Sequence, residues 1–370
     1  MTQAIILEEK DLDIYQSCSH NCNLESIRDS INYTECDGYQ DCQYIDSSYE
    51  ICEPPASDHS PRRYQWFKDE HGKVYGDNST ECKTPVKKVS STLWVSKLRS
   101  CDYCLCTCVK KKPLREDDVL FVSFREQVTD IEKNRVIVGV RFVKKNNMIH
   151  VQRKEAELKP NGLTGKSRWK ELEDFSYNKS TESFYVRHSN GSQVLLKEDI
   201  DYGRPTWMDL DDLIAPAGFA ITGIALWNSK HPPPEGWCLE SIRMSIRVTA
   251  LDFFQGTLIK NQTHWSPRTC SESRYSSDIE LELDLPIKSP GNTIDKYRGN
   301  VLFQYSGLTK DAGQSTVPFF DGQDVEGDPE FPLGGVGVIY RKRKRYGGFL
   351  AFRIYMPIFG QNFKNELYGE

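Results

Sequence analysis

A chain of 370 residues can bury a large core and has room for two or three domains. Its formal net charge is −5 with both signs spread along the sequence, so it lacks the clustered excess of Lys and Arg that a nucleic-acid-binding face needs. No apolar run reaches the roughly 18 residues of a membrane-spanning helix, so we expect no membrane span.

The start of the chain predicts a polar leader over residues 1–14. Its first ten residues, MTQAIILEEK, contain neither the basic segment nor the long apolar segment of a secretory signal peptide. Either the real start lies further upstream, or export follows another route, or the protein stays inside the cell.

A disulfide-rich module is predicted over residues 15–112. Cysteines at this density are typical of small extracellular modules that cannot build an adequate apolar core. Their even number permits five internal bridges, although the sequence does not give the connectivity. The segment Arg63–Tyr75 predicts a hairpin of two aromatic strands within this module. The cysteines of the module are Cys18, Cys22, Cys36, Cys42, Cys52, Cys82, Cys101, Cys104, Cys106 and Cys108.

The last four of these cysteines permit a second interpretation, because four thiolates so close in sequence can hold a zinc ion tetrahedrally. Zinc sites usually repeat C-x-x-C in two separate knuckles, which this chain does not do. We therefore expect disulfides and no metal here. The two remaining cysteines, Cys238 and Cys270, are predicted to pair with each other in the second domain.

Five N-x-[ST] sequons occur along the chain, which is more than chance predicts. Sequons mark acceptor sites for N-linked glycans in secreted proteins. Together with the cysteines, they predict a secreted, extracellular glycoprotein. The asparagines concerned are Asn32, Asn78, Asn178, Asn190 and Asn261.

Residues 113–370 predict an antiparallel β-domain, which begins after the polar segment KKKP. Strand-like runs alternate with turn signals, and apolar residues recur at every second position in SIRMSIRVTAL and DIELELDL. Three segments share a glycine-containing apolar strand, a polar turn and a second apolar strand. They are RVIVGVRFVKKNNMIHVQ, FAITGIALWNSK through SIRMSIRVTAL, and VGVIYRKRKRYGGFLAFRIY. The repetition favours a β-prism with pseudo-threefold symmetry, and a β-sandwich is the alternative.

Several strings of this sequence resemble a family of secreted insect proteins of unknown function. The strings are SCDYCLCTC, VTDIEKNRVIVGVRFVKKNNMIHVQ, DLDDLIAPAGFAITGIAL, QSTVPFFDGQDVE and PLGGVGVIYRKRKRYGGFLAF. They occur in the family's order and extend from about Cys18 to Pro357. The resemblance implies export, but it implies no activity, substrate or catalytic residue, because the family has none established.

Two groups of residues are candidates for binding an extracellular ligand. Tryptophans in the middle of the β-domain can stack on sugar rings if they are exposed, and the basic run RKRKR, a predicted hairpin tip, can contact an anionic surface. The structural alternatives are a core role for the tryptophans and a solvated turn for the basic run. These candidates are Trp207, Trp227, Trp237, Arg341, Arg343 and Arg345.

A weaker candidate is a calcium site formed by Asp209, Asp211 and Asp212, because calcium prefers oxygen ligands. A polar loop in which these carboxylates accept hydrogen bonds from nearby backbone groups is the more ordinary explanation. The seven histidines occur singly, and no metalloprotease or nucleophile-elbow motif is present. We therefore expect no catalytic residue and no cofactor.

The sequence thus predicts a non-enzymatic extracellular glycoprotein that binds a glycan, a matrix component or another protein. One alternative is a secreted enzyme whose site is assembled only in space. Another is an inhibitor-like or toxin-like cysteine module that the β-domain carries.

Overall fold

The computed structural model describes residues 2–12, 18, 22, 36, 38–58, 60, 62–79, 81–91, 93–94, 99–109, 119–228, 241–266, 279, 281, 294–343 and 346–359. Its regular structure is mostly β-strand in antiparallel sheets, which confirms the predicted all-β fold class. Within these residues, no helix combines the length and the apolar character needed to cross a membrane.

The cysteine-rich module contains two sheets, with strand orders β1-β9-β2 and β5-β4-β3-β6, and a short β7–β8 ribbon. The predicted hairpin over Arg63–Tyr75 is confirmed as β4 and β5. The elements are β1 (Thr2–Glu8), α1 (Glu9–Leu12), β2 (Tyr39–Tyr44), β3 (Ser48–Cys52), a 3-10 turn (Ala56–Asp58), β4 (Trp66–Asp69), β5 (Val74–Gly76), β6 (Lys87–Ser90), β7 (Leu93–Trp94), β8 (Arg99–Ser100) and β9 (Tyr103–Val109).

A polar leader is predicted over residues 1–14, and residues 2–8 of this range form a strand of the module. They form β1, which pairs with β9 along its whole length, from Thr2 opposite Val109 to Glu8 opposite Tyr103. The β-branched pair in AIIL favours a strand, and Ala4 in that segment is buried in the module core. The polar residues around this short segment conceal it in the sequence.

Five disulfides join the ten described cysteines of the module, which confirms the predicted disulfide bonds. Strand β9 and the residues before it carry one partner of four bridges, so this strand is the covalent centre of the module. Because these sulfurs are bonded in pairs, they are not available as zinc ligands. Cys238 and Cys270 lie outside the described residues. The pairs are Cys18–Cys101, Cys22–Cys104, Cys36–Cys108, Cys42–Cys106 and Cys52–Cys82.

The β-domain begins with residues that form its first hairpin and a small three-stranded sheet, β15-β16-β17. Its first elements are β10 (Phe121–Ser123), β11 (Gln127–Val128), a 3-10 turn (Ile131–Lys133), β12 (Arg135–Lys145), β13 (Met148–Glu157), a 3-10 turn (Pro160–Gly162), β14 (Arg168–Trp169), β15 (Asp174–Asn178), β16 (Ser183–Arg187) and β17 (Gln193–Leu195).

The rest of the β-domain contains two further long hairpins, over residues 219–252 and 335–355. The elements are β18 (Tyr202–Gly203), β19 (Trp207–Asp209), β20 (Asp212–Ile214), β21 (Phe219–Asn228), β22 (Ile242–Asp252), β23 (Thr257–Trp265), β24 (Ile294–Lys296), β25 (Asn300–Leu302), β26 (Gln304–Tyr305), α2 (Leu308–Asp311), β27 (Thr316–Val317), β28 (Phe319–Phe320), β29 (Val325–Glu326), β30 (Gly335–Arg343) and β31 (Tyr346–Tyr355).

Three long hairpins, β12–β13, β21–β22 and β30–β31, each form the centre of one sheet in the described β-domain. We call these the first, second and third sheet. Their inward-facing apolar residues meet in one hydrophobic core, to which Val140, Ile224 and Val338 contribute from equivalent positions of the three hairpins. Three sheets around one core correspond to the predicted prism and not to the two-sheet alternative.

A cyclic exchange of short strands links the three sheets. Strand β11 precedes the first hairpin but pairs with β21 of the second, and β20 precedes the second hairpin but pairs with β30 of the third. Strand β29 precedes the third hairpin and returns to pair with β12 of the first. Each repeat therefore completes the sheet of another repeat, which gives the domain its pseudo-threefold order.

The module packs against a loop of the β-domain that includes α2. The backbone N–H of Ala4 donates to the carbonyl of Gly313 at 2.9 Å, and Arg62 forms a 2.7 Å ion pair with Asp311. Ala312 is buried within the hydrophobic cluster of the module. The predicted boundary at residues 112 and 113 lies outside the described residues, and this contact joins the parts of the chain on either side of it.

Candidate binding surface

In the first strand of each hairpin, a glycine leaves space on the outer face of the sheet, and side chains of the neighbouring strands occupy that space. These glycines are Gly139, Gly223 and Gly337, and an added Cβ at each would meet a neighbouring side chain at close range. In each sheet, a cationic residue lies directly across the hairpin from the glycine, and a residue of the exchanged strand lies on its other side. The cations are Lys154, Arg247 and Arg353.

In the first sheet, the cation is enclosed by acidic side chains. Lys154 forms ion pairs of 2.7 Å with Glu326 on the exchanged strand and 2.6 Å with Glu330. Burial lowers the pKa of Lys154, but the hydrogen bonds and charges of the two carboxylates together outweigh burial, so the pKa is raised. Lys154 therefore has two ionic partners within the protein.

In the second sheet, the cation is bound to backbone carbonyls. Arg247 donates to the carbonyl oxygens of Thr129 at 2.9 Å and Thr222 at 3.0 Å, so it joins the residue after the exchanged strand β11 to the hairpin. Trp265 lies opposite Arg247 in the sheet, and its ring reaches the space beside Gly223. Protein groups therefore fill the space beside Gly223 and bind the Arg247 guanidinium.

The third sheet has the same arrangement, but two aromatic rings lie beside the cation, and one of them, Tyr297, is exposed. The Arg353 guanidinium lies 4.5 Å from the ring centre of Tyr297 and 4.4 Å from that of Tyr355. It also forms a 3.3 Å ion pair with Asp212 on the exchanged strand. The side chain of Arg353 remains 33% exposed, and Tyr297 is 42% exposed. This cation is accessible, in contrast to Lys154.

Exposed apolar side chains border this group of residues. Ile214 follows Asp212 in β20 and lies opposite Gly335, and its side chain reaches the space that a Cβ at Gly335 would fill. Ile214 and Met356 are 43% and 63% exposed. We call this region the third-sheet surface, and its members are Asp212, Ile214, Tyr297, Arg353, Tyr355 and Met356.

Two opposing influences act on the pKa of the Asp212 carboxyl in the third-sheet surface. Partial burial raises the pKa of Asp212, while the positive charge of Arg353 opposes that shift. A half-buried carboxylate beside a planar guanidinium offers acceptors and donors side by side, an arrangement suited to a ligand that has both.

A second charged cluster lies around Glu155 of β13 in the first sheet and stabilises the fold. Glu155 is 2% exposed and accepts from Arg168 at 3.0 Å, while Arg153 and Arg135 approach it to 3.5 and 3.8 Å. Arg153 in turn donates to Gln127 of β11 at 3.0 Å. The buried carboxylate therefore connects β13 with a neighbouring strand and leaves little room for a ligand.

The predicted tryptophan candidates are dispersed. Trp227 is buried, and its indole N–H donates to the carbonyl of Met244 at 3.4 Å, as in a core residue. Trp207 is partly exposed in the second sheet, where it pairs with Leu302. Trp237 lies outside the described residues. The structure therefore does not bring Trp207 and Trp227 together on one exposed face.

The basic run lies where the sequence places it, at the end of β30. Arg341 approaches Asp295 of β24 at 3.7 Å on the third sheet. Arg343 is the last residue of β30, and Arg345 lies outside the described residues. The part of the run that the structure describes thus has an acidic neighbour.

The three calcium candidates do not converge. Asp209 belongs to β19 in the second sheet and is ion-paired with Arg243 at 3.4 Å, whereas Asp212 belongs to β20 in the third sheet. Asp211 is a partly exposed residue between these strands. Among the described residues, these carboxylates do not form a group of three converging ligand atoms.

Four of the five sequon asparagines lie on the described surface. The side-chain oxygen of Asn178 accepts from the backbone N–H of Ser180 at 2.9 Å, and that of Asn190 accepts from Ser192 at 3.0 Å. Both are therefore held in turns of the small sheet. Asn32 lies outside the described residues, and the exposed asparagines are Asn78, Asn178, Asn190 and Asn261.

Tyr297, Arg353 and Tyr355 are functional candidates that were not predicted from the sequence. A signal for Arg353 exists, because an alignment of the three hairpins places it opposite the same glycine as Arg247. The position of Tyr297 has no such signal, since it depends on how β24 pairs with β30.

Fold and disulfides define an all-β protein in which a disulfide-bridged module precedes three pseudo-repeated sheets. Bridges in this number fit an extracellular protein. A family model described as "Domain of unknown function (DUF4803)" matches residues 1–153, which include the module and most of the first hairpin. This match agrees with the resemblance to an uncharacterised family and covers less than half of the chain. None of the curated proteins matches the chain.

Proposed function

We propose that this protein is a secreted, non-enzymatic glycoprotein that binds an extracellular glycan through its third-sheet surface. The observation that carries the proposal is the exposed group of Arg353 between Tyr297 and Tyr355, with Asp212 beside it. At the equivalent places, two carboxylates enclose Lys154, which is 14% exposed, and Arg247 donates to backbone carbonyls.

A sugar ring matches this surface in two ways. Its C–H faces pack on aromatic rings, for which the exposed Tyr297 offers a partner. Its hydroxyls both donate and accept hydrogen bonds, which the Asp212 carboxylate and the Arg353 guanidinium can satisfy together. Specific sites typically combine such an apolar platform with a few well-placed polar groups.

The extracellular compartment has separate support. Five disulfides in the described module are typical of an oxidising compartment, and the exposed sequons are accessible as glycan acceptors.

A glycan array probed with the full, disulfide-intact protein tests the proposal. Loss of one stacked ring in Tyr297→Ala removes about 1 kcal/mol, so we expect binding to weaken about fivefold. Asp212→Asn removes a charged acceptor worth about 1.5–3 kcal/mol, so we expect a loss of about tenfold or more.

Trp169→Ala is the matched control. Trp169 stacks on Arg141 at 4.2 Å on the first sheet, so its loss removes a similar aromatic–cation contact away from the third-sheet surface. This variant should bind like the wild type. If the wild type binds no glycan, or if Tyr297→Ala binds as well as Trp169→Ala does, the proposal is wrong.

A further inference from the structure

Two turns of the cysteine-rich module bring a histidine and two carboxylates together, away from the third-sheet surface. Asp46 lies just before β3, and Glu70 and His71 follow β4, so the antiparallel pairing of β3 with β4 places both turns at the same end of the sheet. One ligand atom from each of these three residues lies within 4.8 Å of the other two. We propose that this group, which we call the turn cluster, binds a divalent transition-metal ion such as Zn²⁺.

The spacing is close to what a metal ion requires. Zinc bonds of about 2.0–2.2 Å in tetrahedral geometry place neighbouring ligand atoms about 3.4 Å apart. Nε2 of His71 already lies 3.2 Å from Oδ2 of Asp46. Glu70 is exposed, so a rotation of its side chain can supply the remaining approach of at most about 1.4 Å.

The backbone of both turns is held in place before any ion binds. The carbonyl of Asp46 accepts from Tyr103 of β9 at 2.9 Å, and the carbonyl of Ser47 accepts from Ser91 at 2.7 Å. In the other turn, the carboxylate of Asp69 accepts from the backbone N–H of Lys73 at 2.8 Å. Ordering these turns therefore costs little when the ion binds.

Hydroxyl groups orient the second carboxylate. The hydroxyls of Ser47 and Ser48 donate to Oε2 of Glu70 at 3.0 and 3.4 Å, and Oε1 takes no part in these two bonds. Such outer partners fix the direction of a ligand and increase the affinity for the metal.

The donor set selects the kind of ion. One imidazole nitrogen with two carboxylates suits zinc and related transition metals, whereas calcium and magnesium prefer six or more oxygen ligands. The three protein ligands leave further coordination positions for water. The competing explanation is a simple ion pair between His71 and Asp46, to which Glu70 would add nothing.

Titration calorimetry of the full, disulfide-intact protein with ZnCl₂, in excess Ca²⁺, separates these explanations. We expect one Zn²⁺ to bind per chain. Loss of a direct ligand in His71→Ala or Glu70→Gln should weaken binding by more than the roughly 10–100-fold that loss of an outer partner costs. Zn²⁺ should raise the unfolding temperature of the wild type and leave that of both variants unchanged.

His188→Ala is the matched control, because His188 is an exposed histidine in the turn between β16 and β17, outside the turn cluster. This variant should bind Zn²⁺ like the wild type. The inference is overturned if the wild type binds no stoichiometric Zn²⁺, or if Glu70→Gln binds it as tightly as the wild type. Each of these outcomes is independent of glycan binding.

Discussion

Acidification should destabilise the β-domain through His150 in β13. This side chain is 2% exposed, its ring lies 4.4 Å from that of Phe175, and its Nε2 lies 3.1 Å from the carbonyl oxygen of Lys145. Burial lowers the pKa of His150 to about 4, and the positive charge of Lys145 adds to this shift. The folded protein therefore keeps this imidazole neutral well below the pH at which an exposed imidazole takes up a proton.

The size of the effect follows from the difference between the folded and unfolded states. In the unfolded chain, the His150 imidazole has a pKa near 6.5, and in the folded chain its pKa is about 4. At 1.36 kcal/mol per pKa unit, this difference is worth about 3 kcal/mol. Because the folded-state pKa is the lower one, the unfolded chain takes up the proton first. The free energy of unfolding therefore keeps its full value above pH 6.5 and falls by this amount as the pH decreases towards 4.

Urea unfolding at several pH values between 7 and 4 measures this loss in the wild type and in His150→Gln. Glutamine keeps an N–H that can donate to the Lys145 carbonyl but has no proton to gain in this range. Over this interval, the free energy of unfolding should fall by about 3 kcal/mol more in the wild type than in the variant. Parallel pH curves for the two proteins would refute the assignment to His150.

Three further predictions concern stability and use urea unfolding at neutral pH. Gly337→Ala introduces a Cβ against the Asp212 carboxylate and should cost about 1–3 kcal/mol, whereas Gly38→Ala, with open space around it, should be neutral. Replacing Cys52 and Cys82 together by Ser opens a bridge with a sequence separation of 30 and should cost about 3–4 kcal/mol; an unchanged midpoint would contradict this. Glu155→Gln removes the shared partner of its surrounding arginines and should cost about 3–5 kcal/mol, so a loss below 1 kcal/mol would show that the cluster is dispensable.

The long hairpins could be predicted from sequence because their signal is local. Alternating apolar residues on either side of a polar turn, as in Ile242–Asp252, reflect the burial of one strand face in a core. The clustered cysteines likewise indicated covalent bonding, because a module with so little apolar material needs crosslinks. Neither signal requires knowledge of which distant segments meet.

The exchanged strands and the candidate surface could not be predicted in the same way. Strand β11 has two residues and β20 has three, too few to show an alternation, and their partners lie in a different repeat. Tyr297 reaches Arg353 only because β24 pairs with β30, and that register depends on packing between remote parts of the chain. Sequence reasoning instead favoured Trp227, whose large apolar ring is buried in the core.

The pseudo-threefold order bears directly on how the third-sheet surface should be interpreted. In each sheet, the cation opposite the glycine contacts the exchanged strand or the residue next to it, so a cation at this position has a structural role. The three cations are Lys154, Arg247 and Arg353. Arg353 alone is therefore no sign of binding. What distinguishes the third sheet is that two carboxylates enclose Lys154 and backbone carbonyls bind Arg247, while the rings around Arg353 include the exposed Tyr297. The binding hypothesis rests on this difference between copies, so variants of the other two sheets are its natural controls.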